Sequence, residues 1–172
     1  MKKNLHALAK IKGLLKDVKS NQYCIVKTDS DVGLYTTNLG SDIAYTLYSK
    51  ELGKVAMARQ LNPEQLKGFY NEYLPDPKTI KEPIKMSIFG GDKDFSSENV
   101  QQLLDLLEQH WDLSATEIII ECVNVGTKSY WDSVILEPWT GYLWDGKDVH
   151  NRVLAGITEF VTDADLKEYL NM

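Results

Sequence analysis

Nucleophiles, proton carriers and metal ligands are few in this 172-residue chain: two cysteines, three histidines and a spread of carboxylates. Cys24 and Cys122 both fall inside apolar, strand-like runs, where a thiol is usually unreactive. They are too few for a disulfide framework and match no metal spacing, so both read as reduced cytosolic thiols. His6, His110 and His150 are far apart in sequence, and each reads as a surface or cap histidine. Asp92 and Asp94 follow Gly90-Gly91, and carboxylates on a tight turn suit a hard cation. With no further clustered ligand the pair reads as a solvated loop, and neither metal nor cofactor is expected. Phosphate-binding loops, dinucleotide fingerprints and nucleophile elbows are absent from the sequence, which leaves no standard motif to assign. Trp131, Trp139 and Trp144 crowd the carboxyl-terminal third, as a recognition face or as the apolar end of a core.

The most informative stretch is Thr36-Thr37-Asn38-Leu39-Gly40-Ser41-Asp42-Ile43-Ala44-Tyr45-Thr46-Leu47-Tyr48, followed by Gly53, Ala56-Met57-Ala58-Arg59 and Pro63. It resembles the signature of the chemoreceptor glutamine deamidases, the CheD family. There a Leu-Gly-Ser-Cys strand start, an aliphatic run ending in Leu-Tyr, and an Ala-His segment closed by Leu-Pro carry the active site. Ile88-Phe89-Gly90-Gly91, Asn99-Val100, Val125-Gly126 and Thr140-Gly141 follow in the order of the family's later landmarks. The resemblance spans about residues 22–146.

In that family a cysteine thiolate attacks a glutamine side-chain amide, a histidine serves as acid and base, and a threonine orients the histidine. Carried over by position, the resemblance puts these roles at Asp42, Arg59 and Thr36, and only Thr36 keeps its residue type. A carboxylate is a weak nucleophile toward an unactivated amide. An arginine stays protonated in proteins and can neither take nor deliver the proton. The signs of charge survive, however: an activated Cys–His pair rests as an anion beside a cation, and Asp42 and Arg59 reproduce that arrangement. The expectation is a vestigial catalytic site converted to a salt bridge. Two further departures are the short, proline-broken stretch between Arg59 and Gly90, and the single glycine at Val125-Gly126 with Lys128 as the nearest basic residue after it.

The elements that must position these residues are legible from periodicity. Leu5, Leu8, Ile11, Leu15 and Val18 recur at three- and four-residue steps, which predicts an amphipathic helix within residues 1–20, set apart from a single domain over 21–172. It lacks large aromatics, so it reads as docked on the core rather than on a membrane surface. Strands are expected at residues 22–27, 34–37, 42–48 and 54–59, forming a meander with Gly40 and Gly53 at its corners. Pro63 starts a short helix over residues 64–73. Residues 84–89 form a strand stopped by Gly90-Gly91, and Ser96 or Ser97 caps a helix with Val100, Leu103, Leu104 and Leu107 on its core stripe. Residues 116–123 are apolar on both faces and should lie centrally in a sheet. A late hairpin at residues 133–136 and 142–144 and a closing helix at 163–170 complete an α/β sandwich, with a mixed, mainly antiparallel β core and helices on its outer faces.

Composition narrows the class of function. At 43% hydrophobic and 26% charged residues the chain is globular in type, and its length lets it bury about 70% of its unfolded surface. Residues 1–20 hold six lysines and one acid, leaving 13 basic and 24 acidic residues elsewhere, a net of −11. That balance disfavours nucleic acid and favours basic patches on a protein partner. Lysines interrupt the amino-terminal apolar run before it reaches signal-peptide length, and no segment approaches a membrane span, so a cytoplasmic location is expected. These readings converge on a catalytically silent CheD-like protein, a binding or regulatory module with a protein partner of a signalling or chemotaxis system. One alternative is an active deamidase or amidohydrolase, with Asp42 as general base on water or a thiolate from Cys24 or Cys122. Another is a secreted, toxin-type relative.

Overall fold

Runs rich in β-branched and aromatic residues form the strands, and the computed structural model describes residues 15–30, 33–75, 80–91, 96–113, 116–123 and 134–145. The strands are β1 (Leu15–Asp17), β2 (Gln22–Lys27), β3 (Gly33–Thr36), β4 (Ile43–Ser49), β5 (Lys54–Arg59), β6 (Ile84–Gly90), β7 (Ile118–Val123), β8 (Val134–Leu136) and β9 (Leu143–Asp145). The helices are α1 (Pro63–Tyr73) and α2 (Ser96–His110). One sheet has the order β2-β5-β4-β6-β7 and the other β1-β3-β8-β9. Pairing is antiparallel except between β1 and β3 and between β6 and β7. The fold is α/β with a mixed, mainly antiparallel core, as the element pattern predicts.

Strand β4 is buried at nearly every position because both of its faces are covered. Tyr45 and Leu47 join Ala56, Ala58, Ile84, Met86 and Ile88 in a core with Leu66, Phe69, Tyr70 and Tyr73 of α1 and Leu103 and Leu107 of α2. Ala44, Val55, Met57 and Phe89, one residue out of phase, pack with Leu34, Val134 and Leu136 of the second sheet and with Val18 and Leu39 of the segments that follow β1 and β3. The period-two alternation of side chains thus feeds two cores from one sheet. Both described helices therefore lie on the same face, and the second sheet covers the other.

Local chemistry sets the element ends. Helix α1 begins with a capping box: Gln65 N–H donates to Asn62 Oδ1 (2.8 Å), and Asn62 N–H donates to Gln65 Oε1 (3.0 Å), with Pro63 at the first helical position. The hairpin from β4 to β5 turns at Gly53 (φ +63°), whose N–H donates to Lys50 O.

Three expectations are corrected. Residues 15–17, predicted as the end of a helix, form β1 beside β3, and Val18 is buried between the sheets; tertiary pairing overrides the helical spacing, and residues 1–14 lie outside the described residues. The predicted meander breaks because β3 leaves for the second sheet, so that β2 pairs with β5 instead. Strand β7, expected to be central, is terminal in its sheet among the described residues and leaves Ile119 and Ile120 exposed. Its parallel pairing with β6 follows from the crossover through α2. His6, Asp92, Asp94, Val125, Gly126, Lys128, Trp131, His150 and the helix expected at residues 163–170 fall outside the described residues.

Candidate functional site

Thr36 ends β3 and aligns with Leu34, so its side chain enters the space between the sheets, where it is fully buried. Its hydroxyl donates to Val18 O at 2.8 Å. Arg59 ends β5 directly opposite Ala44, on the face that also carries Val55 and Met57. Asp42 precedes β4 at the same end of the sheet. Antiparallel pairing of β4 and β5 therefore returns residues seventeen apart in sequence to one rim.

There the three side chains meet. Arg59 Nε donates to Asp42 Oδ2 at 2.9 Å, an ion pair with side-chain exposures of 13% and 23%. Arg59 Nη1 donates to Thr36 Oγ1 at 3.1 Å and to Thr37 O at 2.8 Å, while Nη2 donates to Asn38 O at 3.0 Å. The planar guanidinium fork can hold a carboxylate, a hydroxyl and two carbonyls at once, which a lysine or an imidazole cannot. Burial on one side and solvent on the other make this a partly screened charge-assisted contact.

The surrounding turns explain how the segment from Thr36 to Asp42 reaches Arg59. Asn38 and Gly40 take positive φ (+53° and +56°), and Asp42 N–H donates to Leu39 O, the chemistry of a tight turn. Leu39 plugs the inter-sheet core with 2% exposure. Gly91 N–H donates to Asp42 O at 2.9 Å. Gly90 has φ +84°, and a Cβ there would stand 2.8 Å from both Asp42 O and Leu39 Cδ1. The glycine pair is thus a close-approach surface for the Asp42 backbone. Gln60, at φ +45°, exchanges two hydrogen bonds with Ile43 through its backbone N–H and its side-chain oxygen.

Sequence reasoning named Thr36, Asp42 and Arg59, and the structure brings all three together. It did not name the carbonyls of Thr37 and Asn38 or the Gln60 clasp. The turn-forming Asn38-Leu39-Gly40 run was the available signal for the first; nothing in the residue types announced the second.

The remaining candidates lie elsewhere. Cys24 sits on β2 opposite Met57 and lines a shallow cleft with Asn21, Gln22 and Gln65, a lining that offers a thiolate no histidine. Cys122 lies on β7 opposite Ile88. His110 ends α2, where it is hydrogen-bonded to Asn71 Oδ1 at 2.7 Å. Trp139 is half-buried in the turn of the β8–β9 hairpin, and Trp144 contributes main chain to β9. Among the described residues no three His, Cys, Asp or Glu side chains form a metal-holding group, and no helix is long and apolar enough to cross a membrane. Comparison of the chain with protein-family models found no match, and neither did comparison with curated proteins.

Proposed function

We propose that the protein is a catalytically silent CheD-like scaffold, a cytoplasmic binding or regulatory module whose partner is a protein of a signalling or chemotaxis system. The observation that carries this reading is the Arg59 Nε–Asp42 Oδ2 contact at 2.9 Å with Thr36 on the same guanidinium. A carboxylate, a guanidinium and a threonine hydroxyl adjoin where the resemblance calls for a thiolate, an imidazolium and an orienting threonine. A guanidinium cannot carry the proton, and a carboxylate is a weak nucleophile toward an unactivated amide. The glycine pair at Gly90-Gly91 supports the same reading, since it seats the backbone of the nucleophile position.

The test is restoration. Glutamine-containing chemoreceptor fragments are incubated with the unmodified protein and with the double variant Asp42→Cys/Arg59→His, and deamidation is followed by mass. The expected outcome is no turnover by the unmodified chain and a reactive, alkylatable thiol in the variant. Turnover by the unmodified chain, abolished by Asp42→Ala, would establish an active enzyme with a non-standard base instead. An inert thiol in the folded double variant would remove the kinship assignment.

A further inference from the structure

A sheet that ends in a free strand exposes a row of unpaired N–H and C=O groups, and monomeric proteins commonly blunt such an edge with lysine or proline. Strand β7 carries neither: its run is Ile-Ile-Ile-Glu-Cys-Val. It ends the five-stranded sheet, with β6 as its only partner strand among the described residues. Ile119 is 50% exposed and Ile120 41%. Successive strand residues point to opposite faces, so the edge presents apolar surface to solvent on both sides of the sheet. Leu113, in the segment leading into β7, is exposed as well. The opposite edge differs, because β2 packs Tyr23 and Ile25 against one core and Cys24 and Val26 against the other. The single charge of β7, Glu121, lies 3.8 Å from Lys85 Nζ of β6.

We infer that β7 is a dimer edge: it pairs antiparallel with β7 of a second copy of this chain, joining two five-stranded sheets into one through main-chain hydrogen bonds. Symmetry and charge select this occupant and its register. A two-fold axis normal to the sheet makes every contact reciprocal and keeps the helix-covered faces on one side, so opposed residues share a face and the axis passes through one residue. Like charges directly opposed are destabilising. Centring on Glu121 opposes two carboxylates, and centring on Ile119 sets Glu117 against Glu121 twice. Centring nearer either end of β7 leaves little of the strand overlapped. Centring on Ile120 opposes no like charges and overlaps residues 118–122 of both copies. Ile120 then meets its own counterpart, with Met86 of β6 behind it in each copy. Ile119 faces Glu121 of the second copy, with Lys85 next along the row. Each Glu121 thereby gains a second lysine one strand beyond Ile119, and the exposed isoleucines of both faces leave solvent together. None of these contacts involves Arg59 or Asp42.

Sedimentation velocity on the full chain tests the edge. The unmodified protein is expected to pass from monomer to dimer as its concentration rises through the micromolar range, as suits a small interface. A monomer at every soluble concentration overturns the inference and leaves the proposed function untouched. Ile120→Lys sets two ammonium groups against each other at a position already open to solvent, and should weaken dimerisation at least about tenfold. Unchanged dimerisation in the folded variant, checked by far-ultraviolet circular dichroism, overturns the edge. A disulfide reads the register without adding charge. In a Cys24→Ser/Cys122→Ser background, Ile120→Cys brings two thiols to facing positions, within the Cα separation of about 4.4–6.8 Å that a disulfide accepts. It should oxidise to a covalent dimer at least about tenfold faster than Glu121→Cys, whose counterpart lies on the diagonal. Equal rates, or no covalent dimer from Ile120→Cys, overturn the pairing.

Discussion

Arg59 and Asp42 share an ion pair, yet their removal should not be equivalent. Asp42→Asn retains the shape and loses the charge of one contact, a change of about 1 kcal/mol for a partly exposed pair. Arg59→Ala also strips donors from Thr37 O, Asn38 O and the buried Thr36 hydroxyl, and should destabilise by about 2–4 kcal/mol. Urea unfolding of the two single variants and the double variant measures both losses and their coupling. Equal losses would mean that the carbonyl contacts contribute nothing. At the same scale Gly90 is irreplaceable: its positive φ and the approach of Asp42 O and Leu39 make Gly90→Ala destabilising by at least about 2 kcal/mol, with the Asp42–Arg59 contact displaced. Matching unfolding midpoints for Gly90→Ala and the unmodified protein would show that no such close approach exists.

Helix α1 presents an aromatic face to the five-stranded sheet, and that face controls behaviour at alkaline pH. Tyr70 and Tyr73 are almost wholly buried; their hydroxyls donate to Leu103 O and Lys54 O, each at 3.0 Å. Burial pushes both phenols well above the ordinary tyrosine range. A folded-state pKa raised above the unfolded value means stability that is complete below the unfolded pKa of about 10 and is lost as pH rises beyond it. Stability should therefore be flat in tyrosine terms through neutral pH and fall steeply above pH of about 10. In Tyr70→Phe the fall should be shallower, at a loss near neutrality of about 1 kcal/mol for the hydrogen bond to Leu103 O. Urea midpoints measured between neutral and alkaline pH check the slope; an unchanged slope in Tyr70→Phe would assign the alkaline transition to other groups.

Across the molecule the two sheets pack through a shared apolar core, and one close approach between them is at a glycine. Gly141, at φ +70° in the β8–β9 hairpin, faces the ring of Tyr48 on β4, and a Cβ there would collide with that ring. Gly141→Ala should push the hairpin off the five-stranded sheet and destabilise by about 2–3 kcal/mol, since overpacking and an unfavourable φ act together. Tyr48→Leu in the same chain should recover part of the loss by clearing the ring. A thermal melt of the single and double variants decides it: no recovery in the double variant would mean that φ alone, not the contact, sets the requirement.

What the sequence determined by itself was local. Pro63, the corner at Gly40, the Leu103–Leu107 stripe and the β4–β5 hairpin around Gly53 could be read because capping, turn chemistry and side-chain period act within a few residues. The grouping of Thr36, Asp42 and Arg59 as a site came from the resemblance, carried over by position. Tertiary structure alone decided that β3 leaves the first sheet, that residues 15–17 pair as a strand, and that β7 lies at a sheet edge among the described residues. Those choices depend on which surfaces remain to be buried once the first sheet has formed, a property of the assembled layers rather than of any one segment. The Arg59 contacts belong to the same class: the guanidinium reaches Thr37 O and Asn38 O only because two separate sheets bring their ends to a common rim.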